Sequence, residues 1–194
     1  MTTFVQGSLN YAKLTAEGVD FSTRFNFELE DVFGHDWGRI DWNTRGSYNI
    51  QRQDFTNIAN RAVHIDRDGQ FQDPAGNFLF NDSAVRFLST VAWSPTDRLS
   101  LSWDWDWQSS QEIEDVDVLV ANPDRYDSVK YLETGDFSQH DFTVRYQILD
   151  DLTVNAGVIN AFDEEPARWL GNTTADNFDL FGRRFFVNVN YKVW

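Results

Sequence analysis

Along most of this chain apolar residues fall at every second position, the repeat of a pleated strand whose successive side chains point to opposite faces. In the last segment Phe185, Val187, Val189, Tyr191 and Val193 alternate with Asn188, Asn190 and Lys192, and the stretch from Arg183 to Trp194 reads as a single strand. That is about the length, roughly 9–11 residues, of a tilted strand that crosses a membrane. The stretch from Leu152 to Phe162 repeats the pattern. Near the start Val5, Leu9, Tyr11, Val19, Phe21, Phe25, Phe27 and Leu29 share one parity, with Asp20, Ser22, Arg24, Asn26 and Glu28 on the other. This predicts one long strand from about Phe4 to Leu29, with Gly18 marking a bend or bulge.

The remaining strands follow in the same way. Ile40, Trp42, Thr44, Gly46, Tyr48 and Ile50 form one apolar set; Val85, Phe87, Ser89, Val91 and Trp93 the next; Leu99, Leu101, Trp103, Trp105 and Trp107 another; and Phe142, Val144, Tyr146 and Ile148 the last. Between them lie short turns at Glu30–Gly38, at Ser94–Asp97 with Pro95 in the favoured second turn position, and at Asp150–Asp151. Long polar connections lie at about 56–83, 112–136 and 164–181. The expected fold is an all-β antiparallel meander of about seven long strands, in which short and long connections take turns. Transmembrane barrels have that asymmetry, with short turns on the periplasmic side and long loops outside. An odd number of strands does not close into a bacterial single-chain barrel, so an open, curved segment of a larger barrel is predicted.

Composition allows this. The 194 residues are the size of one domain, 1–194. A mean hydropathy of −0.50 excludes a helical membrane protein but not a barrel, because alternation halves the apolar content of each strand. The chain holds 8 Trp, 17 Phe and 6 Tyr, more than a small core needs, and barrels place such rings at both lipid interfaces. A formal charge of −15 argues against a nucleic-acid partner, which requires clustered Lys and Arg. Met1-Thr-Thr-Phe-Val has neither the basic nor the apolar region of a signal peptide, so an outer-membrane protein of this kind is expected to extend upstream.

Few constellations suggest chemistry. In Trp103-Asp104-Trp105-Asp106-Trp107 the two acids lie roughly 6.5–7 Å apart along a strand, near the carboxylate spacing of inverting glycosidases. A sugar site, however, needs rings and acids on one face, and here parity separates them. Asp66, Asp68 and Asp73 around Gly69 resemble part of a calcium loop but lack the remaining ligands, so a solvated Asp-Gly turn is expected and no metal or other cofactor. The acidic run Glu112, Glu114, Asp115 and Asp117 reads as a solvated strand end. His35, His64 and His140 read as loop or strand-end residues without ligand spacing. Arg24, Arg45, Arg145 and Arg184 share the polar parity with Asp20, Asp41, Asp104, Asp106 and Asp141, so cross-strand ion pairing inside a lumen is expected, with some of these residues as candidates to contact a ligand.

From Val154 through Asn160-Ala-Phe-Asp-Glu-Glu-Pro166, and again from Phe178 to Trp194, the sequence resembles the C-terminal end of TonB-dependent outer-membrane receptors. Asn10-Tyr-Ala-Lys-Leu-Thr-Ala-Glu-Gly-Val-Asp20 resembles a strand that lies several strands earlier in that family. The resemblance implies the C-terminal wall of a plugged barrel of about 22 strands in the outer membrane of a Gram-negative bacterium. Such a barrel takes up a scarce nutrient such as a siderophore-metal chelate, cobalamin or a glycan. The plug, its TonB box and the earlier strands would lie upstream, and through that plug the partner would be the inner-membrane energy-coupling complex. Tyr191, Val193 and Trp194 resemble the terminal signal read by the outer-membrane barrel assembly machinery. Transport of this kind is binding and gating, so no catalytic residue is expected. Candidate ligand contacts are Arg24, Arg45, Asp104, Asp106 and Arg145 on the wall, and Tyr126, Tyr131 and Trp169 on the long connections, which share one end of the sheet. The alternative is a soluble β-sandwich, either a carbohydrate-binding module or a glycosidase, which would hide the apolar stripe against a second sheet.

Overall fold

The computed structural model describes residues 13–55, 65–66, 69, 83–112, 133–166, 179 and 181–193. The elements are β1 (Lys13–Glu28), α1 (Leu29–Phe33), β2 (Arg39–Phe55), β3 (Ile65–Asp66), β4 (Val85–Thr96), β5 (Leu99–Gln108), β6 (Phe137–Leu149), β7 (Leu152–Ile159) and β8 (Arg184–Tyr191). All strands belong to one antiparallel sheet in the order β1-β2-β4-β5-β6-β7-β8, with the two-residue β3 paired to β2. The sheet is open: β1 and β8 are its edges. The long seven-stranded meander is therefore as the alternation predicts.

Antiparallel register aligns the apolar parities of neighbouring strands on one face. Phe25, Trp42, Val91, Trp103, Phe142, Val158 and Phe185 form one cross-strand row, and Phe27, Ile40, Trp93, Leu101, Val144, Ala156 and Val187 the next. Two glycines let an aromatic ring close over the adjacent strand, Gly46 on the apolar face and Gly157 on the polar face. A Cβ on Gly46 would lie 2.5 Å from the Phe21 ring, and one on Gly157 would lie 2.7 Å from the Phe186 ring, so each ring covers bare backbone on the adjacent strand. The three connections predicted to be short lie at one end of the sheet. Those leaving Phe55, Gln108 and Ile159 all depart from the other.

Several local features differ from the alternation pattern. The register slips at Glu17/Gly18, and the extra residue is Ile50 on the partner strand, so beyond it Gln51, Gln53 and Phe55 take the face that Ile40 to Tyr48 hold before it. Lys13 sits over the Phe55 ring at 5.2 Å in that switched segment. The turn after β1 contains a single helical turn, α1, closed by Gly34 at φ +71°. Pro95 is not in the second position of a turn. It lies within the end of β4, where the register shifts between Trp93 and Thr96, and the reversal is made by Asp97-Arg98. Proline lacks the N–H that the ladder requires, and an irregularity is where a strand tolerates it. Strand β8 ends at Tyr191, short of the last residue, although Lys192 N–H still donates to the Asp151 carbonyl at 2.8 Å.

Candidate functional site

The two faces of the sheet have different chemistry. Arg24, Arg45, Asp104, Asp106 and Arg145 all lie on the polar face, as their parity predicts. Their pairing is not the predicted one. Among the described residues the cross-strand ion pair on the wall is Arg86 to Asp106 at 3.2 Å, and it uses an arginine that the parity argument passed over. Asp104 accepts from Thr90 Oγ1 at 2.6 Å, and Asp141 accepts from the Asn160 N–H at 2.8 Å and Gln139 Nε2 at 3.0 Å. Arg24, Arg45 and Arg145 make no ion pair among the described residues. Arg184 does not reach across the sheet either: its guanidinium forks onto Asp179 at 2.8 and 2.5 Å. Burial pushes the Asp179 carboxyl upward, but the fork from Arg184 and the Phe181 N–H outweigh it and hold the group below its usual range.

Two open recesses line this face. One, of about 900 Å³, is bordered by Asp20, Ser22, Arg45, Arg86 and Asp106 midway along β1 to β5. The other, of about 780 Å³, lies at the short-turn end beside Arg39, Arg98 and Arg145. Phe137 and Gln108 are opposite one another and buried on the polar side, near the long-connection end. There the connection after β5 is tied at its base, with Gln111 N–H donating to Thr134 Oγ1 at 2.9 Å and Ser110 N–H to Asp136 at 2.8 Å.

The apolar face carries tryptophans whose indole N–H groups are bonded within the protein. Trp42 donates to Ser89 Oγ at 2.9 Å, Trp93 to the Trp37 carbonyl at 2.8 Å, Trp103 to His140 Nδ1 at 3.0 Å and Trp105 to Ser138 Oγ at 2.8 Å. His140 is thus no loop or strand-end residue. It sits inside β6 on the apolar face, with the Trp103 and Trp105 rings each 5.7 Å away and the Phe162 edge at 5.1 Å. Nδ1 accepts from the Trp103 indole, and Nε2 on the other side of the ring lies 3.2 Å from Ser138 Oγ. Among the described residues Trp37 and Trp107, near opposite ends of the sheet, have no such partner for their indoles.

Asn160 closes the tight turn after β7. It is fully buried, has a left-handed φ of +52°, and exchanges two bonds with Glu164: Nδ2 to the carbonyl at 2.9 Å, and the Glu164 N–H to Oδ1 at 2.8 Å. Asp163, also left-handed at φ +59°, accepts from the Arg183 N–H at 2.8 Å and so ties this turn to the start of β8. Asparagine suits the position because it tolerates the left-handed region and bonds nearby backbone. Asn160→Ala is expected to destabilise the folded chain by about 1–3 kcal/mol, since it leaves buried backbone groups unpaired. Equilibrium unfolding in detergent measures this.

Tyr126, Tyr131, Trp169, Asp68, Asp73 and Trp194 lie outside the described residues, as do His64 and most of the three long connections. Of the calcium-like segment, Asp66 falls in β3 and the Gly69 carbonyl accepts from the Glu112 N–H at 2.7 Å. Glu112 itself forms an isolated antiparallel bridge with Glu133, beyond the end of β5. No cluster that could hold a metal is present among the described residues.

One open antiparallel sheet, aromatic and uncovered on one face and charged on the other, is a segment of β-barrel wall. In structure the chain is similar to the ferric enterobactin receptor of Pseudomonas aeruginosa, seen in a crystal structure of a mutant, with a TM-score of 0.51 and 16% sequence identity. The match covers 91% of this chain and 22% of the receptor, so this chain spans about a fifth of that protein. At that identity the likeness is one of fold. No protein-family model and no curated protein matches the sequence. Among the described residues no helix is long and apolar enough to cross a membrane, which says nothing of strands.

Proposed function

We propose that residues 1–194 form the C-terminal wall of a TonB-dependent receptor barrel in a Gram-negative outer membrane, acting in the uptake of a scarce nutrient. The observation that carries this reading is the apolar face with its internally bonded indoles. In water an exposed N–H finds a solvent partner, whereas in hydrocarbon an unpaired one costs several kcal/mol. Four tryptophans on the uncovered face meet that requirement. A soluble β-sandwich would need a second sheet across these rings, and the described strands form one sheet.

In this reading the polar face borders a lumen, where Arg24, Arg45 and Arg145 are open to a plug or a passing solute. The plug and its TonB box belong to a longer chain and couple it to the inner-membrane energy source. The nutrient is a siderophore-metal chelate, cobalamin or a glycan; the cargo named for the structural neighbour, ferric enterobactin, is of the first kind. Ligand contacts are assigned to the long connections, with Tyr126, Tyr131 and Trp169 among them, because binding residues concentrate on loops held by a rigid scaffold. Tyr191, Val193 and Trp194 serve as the signal for the barrel assembly machinery.

Deleting Asn122 to Lys130 from the full receptor leaves the tied base at Gln111 and Thr134 in place. Nutrient uptake should fall while the barrel still reaches the outer membrane. Unchanged uptake by the deleted receptor removes that connection from the binding surface.

A further inference from the structure

On the polar face three arginines step diagonally across neighbouring strands. Arg45 on β2 stands opposite Ser22 on β1 and Leu88 on β4, so Arg24 and Arg86 are its diagonal neighbours on either side. Residues so placed on one face lie roughly 7–8 Å apart, a gap that long side chains span. The steps run one way. Arg86 stands opposite Gln108, where β5 ends and the second long connection leaves, and Arg45 and then Arg24 lie progressively farther from that end. Arg45 and Arg86 border the recess of about 900 Å³, with Asp20, Ser22, Ser47 and Asp106 around them. Arg39, Arg98 and Arg145 belong to the other recess, at the short-turn end.

Most carboxylates beside these arginines are already engaged. Asp106 is held by Arg86 at 3.2 Å, and Asp41, the diagonal neighbour of Arg24 on β2, by Arg39 at 2.9 Å. Asp104, on the next strand, accepts from Thr90 Oγ1. That leaves Asp20 against Arg24 and Arg45, which make no ion pair among the described residues, so the steps keep a positive surplus. Guanidiniums offer forked donors that match phosphate and carboxylate groups, and arginines line pores that pass such anions. Among the described residues the polar-face positions of β1, β2, β4 and β5 hold no aromatic ring, so this part of the wall gives a neutral sugar nothing to stack on.

We infer that Arg86, Arg45 and Arg24 form a staircase for an anionic solute, which arrives from the long-connection end and moves inward as its phosphate or carboxylate groups bind successive guanidiniums. This rests on the lumen reading above and narrows its cargo to an anion, setting aside a neutral glycan. The test titrates the full receptor, in uncharged detergent at low salt, with inorganic pyrophosphate, with propane-1,2,3-tricarboxylate and with maltotriose, and follows the heat of binding. Arg45 is exposed and makes no ion pair among the described residues, so variants at this position should still reach the outer membrane.

The unaltered receptor should bind at least one of the two anions, more weakly as salt is added, and should not bind maltotriose. Arg45→Gln should weaken anion binding about tenfold or more, the scale of one hydrogen bond to a charged group. Arg45→Lys should weaken it less, since it keeps the charge and loses only the fork. Arg39→Gln removes the same charge from the far end of β2 and should leave the affinity unchanged. Binding of pyrophosphate alone assigns phosphate groups to the cargo and binding of the tricarboxylate alone assigns carboxylates; either supports the staircase. No binding of either anion, or equal losses in Arg45→Gln and Arg39→Gln, overturns it and leaves the membrane reading intact. Maltotriose binding that Arg45→Gln weakens overturns the choice of an anion. Recovery of the full chain as a soluble monomer without detergent overturns the membrane reading and, with it, passage along a lumen.

Discussion

Removing detergent from residues 1–194 is expected to convert a dispersed species into aggregates within the refolding time. The cause lies in the two edges and one face of the sheet. Seven strands follow one another antiparallel, so β1 and β8 run in the same direction, and the sheet cannot close on itself in antiparallel register. Among the described residues both edges therefore keep rows of unpaired N–H and C=O groups that template pairing with other chains. Beside one edge, Phe185 is 79% and Val187 72% exposed, and they continue an apolar surface that runs from Phe25 across every strand. Soluble monomers rarely expose apolar patches of more than a few hundred Å². Sedimentation velocity with and without detergent checks the expectation. A monodisperse, cooperatively unfolding monomer in plain buffer would remove the membrane assignment and restore the soluble sandwich.

Leu101→Arg should cost about 2–4 kcal/mol of folding free energy in a bilayer, the range for a cation at the mid-plane of a lipid-facing barrel strand. Leu101 lies between Trp93 and Val144 in the centre of the apolar face. Ser102→Arg is the control on the same strand, because its side chain points to the polar face between Ala92 and Thr143, where a cation meets water. Its expected cost is within about 0.5 kcal/mol. Denaturant titration in lipid vesicles reads both variants. Equal costs at the two positions would mean that the faces are not divided between lipid and water.

Much of this architecture is readable in the chain because the two-residue period is a local property of the pleat. Any stretch with Leu99, Leu101, Trp103, Trp105 and Trp107 on one parity places Asp104 and Asp106 on the other, whatever its neighbours. The same period locates the polar arginines and sets aside the glycosidase reading of the acids. Turn chemistry likewise depends on adjacent residues, and so Asp150-Asp151 was legible. The ends of the strands were less so, as at Tyr191, because the final pairs depend on whether the adjacent strand reaches that far.

Partnership between strands depends on register, which no single strand contains. The Ile50 bulge turns the end of β2 over without any break in the parity of β1, since only the count of residues opposite Gly18 reveals it. Arg86 meets Asp106 because β4 and β5 are aligned by the slip beside Pro95, and Arg45, equally placed by parity, finds no such carboxylate among the described residues. His140 looks like a strand-end residue in isolation and becomes an acceptor for Trp103 only when β5 and β6 are paired. Alternation is enforced by neighbours along one chain, whereas a hydrogen bond across the sheet joins groups tens of residues apart, and only the packed strands bring them within 3 Å.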